Sequence, residues 1–127
     1  MQSILMIDDN LEILNMYQTT FRHESFDFTT VQNGMDGIKL SLEKHPDLIL
    51  LDLLMPGMDG ISVMKIIRED NWGKNVPIII LTNMDTHDEI SSVVMENEPT
   101  FCLIKANNEP STVVAKVREI LGKNNTN

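Results

Sequence analysis

Three short runs in this chain, SILMI at 3–7, LILLDL at 48–53 and VPIIIL at 76–81, are apolar at nearly every position instead of every second one. A strand with one wet face alternates polar and apolar residues. A uniform run must be buried on both faces, and at this length it fits a strand of a parallel sheet. Two further runs, FDFTTVQ at 26–32 and the segment Thr100–Ile104, are β-branched or apolar enough to join it. The stretches between them carry helical spacing. Leu11, Leu14, Tyr17 or Gln18 and Phe21 share one side of a helix from about Asn10 to Arg22, with Asp9 or Asn10 available as its N-cap. Further helices are expected over Met35–Lys44, Ile61–Glu69, Thr86–Glu96 and Ser111–Leu121, the last closed by Gly122. VPIIIL, the most apolar run, is expected to be the central strand.

Strands alternating with helices give an α/β fold: a doubly wound, five-stranded parallel sheet covered on both faces. Because βαβ crossovers are right-handed, the C-terminal ends of the strands gather along one edge, where ligands bind in such folds. The residues closing the apolar runs therefore converge. They are Asp8 and Asp9, Asp52, Thr82 and Lys105. Carboxylates held together repel one another, so one must be protonated or a cation must sit among them. Oxygen donors without His or Cys select a hard cation, Mg²⁺ above others in a cell. With an ammonium and a hydroxyl nearby, the set suits a phosphoryl group. Asp52, between the acidic pair and the Thr/Lys pair, is the candidate nucleophile.

The remaining composition narrows the function further. A length of 127 residues suits one domain, expected over 1–123, with 124–127 as a polar tail. Nineteen acidic against ten basic residues leave a charge of −9, which argues against direct nucleic-acid binding and favours cations or basic partners. A single cysteine, Cys102, excludes an internal disulfide and, with no apolar stretch long enough to span a membrane and no basic leader visible, a cytoplasmic location is expected. Nine methionines read mainly as core filler. His23, His45 and His87 match no metal-ligand spacing and read as surface residues.

The acidic pair in MIDDN, the segment LILLDLLMPGMDG, the hydroxyl in IIILTN and the lysine in LIKA resemble, in that order, the receiver domain of two-component response regulators of the stand-alone, CheY-like kind. The resemblance runs from Ile4 to about Leu121. It implies a (βα)5 flavodoxin-like sandwich of strand order 2-1-3-4-5. It also implies a signalling domain that catalyses its own aspartyl phosphorylation and dephosphorylation, without being an enzyme on a separate substrate. Asp9 would ligate Mg²⁺ directly and Asp8 through water or as a supporting acid. Asp52 would ligate the metal and accept the phosphoryl group, and the Leu54 backbone carbonyl would complete the metal site. Lys105 would pair with the phosphoryl oxygens, and Thr82 would move inward to bond them. The donor would be a sensor histidine kinase or a histidine phosphotransfer protein. The output would pass to a partner protein at the face of the fourth helix, fifth strand and fifth helix. The chain would be a monomer or a weak phosphorylation-dependent dimer, without a DNA-binding output domain.

Three positions depart from the family's pattern. Ala106 follows Lys105 where the family has a proline in a cis peptide. Cys102 stands where its switch aromatic lies, and Phe101, one residue earlier, faces the other side of the strand. Asn83 replaces a small residue beside Thr82. These changes imply a modified switch through Thr82. With Leu54 and Met84 flanking the site, slow loss of the phosphoryl group is also expected. A phosphatase using an aspartyl phosphate would need a second aspartate where Leu54 stands. A flavin-binding relative would need a phosphate loop in place of Asp8-Asp9-Asn10. The remaining alternative is a pseudo-receiver that acts by protein contacts without phosphorylation.

Overall fold

The computed structural model describes residues 1–53, 55–82, 101–104 and 109–122, with Thr82 and 101–104 described by backbone alone. Along the chain these form β1 (Ser3–Ile7), α1 (Leu11–Phe21), β2 (Asp27–Val31), α2 (Gly34–Lys44), β3 (Leu48–Asp52), α3 (Gly60–Glu69), β4 (Ile78–Thr82), β5 (Phe101–Ile104) and a helix over Pro110–Leu121. The helix expected over Thr86–Glu96 and the tail at 124–127 lie outside the described residues.

The helices α1, α2 and α3 each start where the sequence supplies an oxygen for their unpaired amides. Asn10 accepts from the Ile13 N–H at 3.1 Å, Asn33 from the Asp36 N–H at 2.8 Å and Asp59 from the Ser62 N–H at 2.8 Å. Of the two candidate caps for α1, Asn10 takes the role and leaves the Asp9 carboxylate outside it. The Pro110–Leu121 helix opens on proline, whose missing N–H costs nothing there, and ends at Gly122 in the left-handed conformation, φ 70°.

The strands form one parallel sheet of order β2-β1-β3-β4-β5. Alternate residues of β1 and β3 enter different cores, which is why both runs are apolar throughout. Leu5, Ile7, Ile49 and Leu51 pack with α2 and α3 through Ile38, Val63, Met64 and Ile67. Ile4, Met6, Leu48 and Leu50 pack on the other face with Leu14, Tyr17, Val113 and Val117. Each of these buried aliphatic side chains contributes roughly 1.5–3 kcal/mol relative to exposure. Together they hold β1 and β3 between two packed layers.

Two expectations are corrected. VPIIIL is an interior strand, but the middle of the sheet is β3. β4 also begins at Ile78, since Pro77 has no N–H to offer a ladder; its carbonyl still accepts the Ile49 N–H at 3.0 Å.

Candidate functional site

Asp8 and Asp9 leave the C-terminal end of β1, and Asp52 is the last residue of β3. The two strands are neighbours with Ile7 opposite Leu51, so their next residues emerge side by side. Carboxylate oxygens of Asp8, Asp9 and Asp52 all lie within 4.8 Å of one another. Asp8 is fully buried and Asp52 is 6% exposed, while Asp9 is exposed. Asp8 is held by a hydrogen bond from the Asn10 N–H at 2.9 Å, and its own N–H donates to the Val31 carbonyl at 3.2 Å. Two unit charges at this spacing repel by on the order of 3 kcal/mol at an effective dielectric constant near 20. A divalent cation among the three converts that repulsion into attraction. A donor set made only of oxygen, on two rigid strand ends, fits a hard cation such as Mg²⁺.

The remaining predicted site residues are placed less fully. Thr82 ends β4 at the same edge, one residue beyond Leu81, which pairs with Asp52. Its side chain is not described. Lys105 and Leu54 lie outside the described residues, as do Asn83, Met84, His87 and the Lys105–Ala106 peptide. The side chains of Phe101 and Cys102 are likewise not described. β5 runs to Ile104, which pairs with Thr82 at this edge. Among the described histidines, His23 and His45 are exposed and stand apart from the acidic cluster, as expected. His45 stacks on Trp72, ring centroids 4.8 Å apart.

Two residues matter here that the sequence did not reveal. Gly60 opens α3, and its N–H donates to the Leu53 carbonyl at 2.9 Å. A β-carbon at this position would stand 2.4 Å from the Asp52 carbonyl oxygen. The last glycine of MPGMDG is therefore required by the close approach of α3 to the Asp52 backbone, not only by the turn. Tyr17, buried in the core beneath α1, has its hydroxyl pushed up to about 12, first by burial and then by the negative charge of Asp8. Its position on the inner side of α1 was legible; its electrostatic link to the site was not, because it depends on a distance across the fold.

Comparison with known proteins agrees with this geometry. The family model for the response regulator receiver domain matches residues 4–118. The DNA-binding response regulator MtrA of Mycobacterium tuberculosis is 36% identical over 97% of this chain and 52% of its own length. The chain thus spans about half the length of the curated relatives it matches. Among solved structures, the chemotaxis protein CheY4 of Vibrio cholerae superposes with a TM-score of 0.86 at 25% identity, covering 94% of this chain and 98% of that one. The receiver domain of the sensor histidine kinase PA1611 from Pseudomonas aeruginosa, with a magnesium ion in its active-site cleft, shares the fold. Its TM-score is 0.85 at 24% identity, over 95% of this chain and 98% of that one.

Proposed function

The chain belongs to the response regulator receiver family, whose general function is phosphorylation on an aspartate, and on that footing we propose that Asp52 is the phosphoacceptor. The observation that carries the assignment is the gathering of Asp8, Asp9 and Asp52 within 4.8 Å at the ends of β1 and β3. Of the three, Asp52 stands on the central strand, nearest the end of β4 where Thr82 lies.

Asp8 and Asp9, with a further oxygen from Asp52 and the Leu54 carbonyl, would hold Mg²⁺. The bound ion supplies positive charge to the phosphoryl oxygens. An Asp52 carboxylate oxygen attacks phosphorus in line. The bond from phosphorus to the donor's nitrogen or oxygen breaks, and the departing group leaves with that electron pair. Thr82 donates its hydroxyl to a phosphoryl oxygen, and Lys105 pairs with another. Burial of Asp8 and the tight packing of Gly60 behind Asp52 keep the acceptor oriented, so little is lost to reorganisation during transfer.

Receiver domains interact with histidine kinases; the donor here is read as a sensor histidine kinase or a histidine phosphotransfer protein, and the output as contact with a partner protein. The family's own catalysis of its phosphorylation and dephosphorylation extends to this chain in the same reading. Among the described residues no helix is long and apolar enough to cross a membrane.

Incubation with acetyl phosphate and Mg²⁺, followed by intact mass measurement, tests the assignment. One phosphoryl mass should be gained, and the gain should vanish in Asp52→Ala and on chelation of the metal. Uptake that persists in Asp52→Ala would overturn it; absence of uptake by the unaltered chain would favour a pseudo-receiver.

A further inference from the structure

β2 lies at one end of the sheet, and among the described residues no strand pairs with its outer edge. The Asp27 N–H donates to the Gln2 carbonyl at 2.9 Å, and the Val31 carbonyl accepts from Asp8 at 3.2 Å. Asp27, Thr29 and Val31 therefore turn their backbone groups toward β1. The alternation of a strand then turns the N–H and C=O of Phe28 and Thr30 outward. Among the described residues those groups meet no partner. Edge strands are ordinarily blunted by lysine, proline or a bulge. The sequence DFTTV contains neither residue, and its register with β1 is unbroken from Ser3–Asp27 to Ile7–Val31.

A groove flanks this edge on each face of the sheet. On the α2 side, about 300 Å³ opens between Asp27 and Thr29 of β2 and Leu40 and Lys44 of α2, floored by Leu5. On the α1 side, about 190 Å³ is lined by Phe21, Phe26 and Phe28, with Gln18 and Arg22 beside them. A strand added along β2 would send alternate side chains into the two grooves, which is how extended peptides are read at sheet edges.

We propose that the β2 edge binds an extended segment of a basic partner protein, its apolar residues over the phenylalanines and its lysines or arginines on the Asp27 side. The charge of −9 decides the occupant. It draws in a cationic segment and repels a second copy of this chain, and the exposed Asp27 carboxylate gives the cation a local counter-charge. Lys44, on the opposite wall of that groove, restricts the basic side chains to the strand side. The surface is separate from phosphoryl uptake at Asp52, though Val31 links its last residue to Asp8 by one hydrogen bond.

The probe is an end-blocked heptapeptide alternating valine and lysine, added to the isotopically labelled chain. The amides of Phe28 and Thr30 should become protected from hydrogen exchange, with chemical-shift changes along β2 and around Phe21 and Lys44. Thr30→Pro removes an outward donor and no bond to β1, so the fold and acetyl phosphate uptake should persist while binding weakens about tenfold. Asp27→Lys, a second variant that leaves the edge amides intact, should weaken binding of the basic peptide only. Equal binding of a valine–glutamate peptide would overturn the proposal. So would perturbation confined to Asp8, Asp9 and Asp52, unchanged binding by Thr30→Pro, or pairing of two copies through β2 without any peptide.

Discussion

The backbone of Gly60 lies so close to Asp52 that a β-carbon on the glycine would meet the aspartate carbonyl oxygen at 2.4 Å and the Leu53 α-carbon at 2.8 Å. Both contacts are to backbone, so no side chain can swing aside to relieve them. The helix that follows this loop thus braces Asp52 itself. Gly57, in the same loop, plays a different part: φ is 85°, and a β-carbon there would meet nothing within 4 Å.

The two glycines should separate when each is changed to alanine. Gly60→Ala overpacks against Asp52 and is expected to cost about 1–3 kcal/mol of stability, and to weaken Mg²⁺ binding severalfold by displacing the Asp52 carboxylate. Gly57→Ala strains a left-handed turn by about 1 kcal/mol and should leave Mg²⁺ affinity unchanged. Urea denaturation and calorimetric titration with Mg²⁺ measure the two effects independently.

Mg²⁺ should stabilise the fold through the acidic cluster, because the unfolded chain does not hold the three carboxylates together. At about one hundred times the dissociation constant the gain is about 2.7 kcal/mol. Asp9→Asn should reverse sign with the metal. Without Mg²⁺ it removes a like charge within 4.8 Å of two others and raises the melting temperature; with saturating Mg²⁺ it lowers the melting temperature relative to the unaltered protein. Scanning calorimetry with and without the ion gives both halves of the comparison.

The hydroxyl of Ser41, fully buried on α2, has no hydrogen-bond partner among the described residues. Ser41→Ala removes an unpaired polar group and improves helix propensity, so it should raise stability by about 1 kcal/mol. Phosphoryl uptake should not change. A lower urea midpoint in the alanine variant would show that the hydroxyl is bonded in solution.

Tyr17 is the single tyrosine, so its ionisation can be followed alone by phenolate absorbance. Its folded-state value of about 12 lies above the ordinary 10, chiefly through burial and secondarily through Asp8. A raised value means that the folded state keeps the proton that the unfolded state loses. The associated stability is complete below pH 10 and disappears as pH rises toward 12. Tyr17→Phe should therefore lose less stability across that window than the unaltered protein. A phenolate midpoint near 10 in the folded protein would contradict the burial of the hydroxyl.

Much of this protein is legible one residue at a time. The uniform apolar runs at 3–7 and 48–53 announce strands with two buried faces, and Leu5 and Ile4 do enter opposite cores. Asn10 and Gly122 mark helix ends through chemistry that acts over a few residues. Asp8, Asp9 and Asp52 could be named because a parallel sheet sends every strand's C-terminal end to one side, a rule independent of the side chains. The helical start at Gly34 and the strand start at Ile78 missed the expected positions by one or two residues, since ends depend on which amides find partners.

What the sequence determined by itself, then, was the order of the described elements and the meeting of Asp8, Asp9 and Asp52 at one sheet edge, because periodicity, caps and the handedness of crossovers are local or general constraints. The tertiary structure alone decided that Gly60 abuts the Asp52 carbonyl, that Tyr17 feels the charge of Asp8, that Ser41 finds no partner among the described residues, and that two grooves flank β2. Each of these is a distance between residues brought together by packing. Close-packed interiors set such distances to tenths of an ångström through every neighbour at once, which no window of sequence contains.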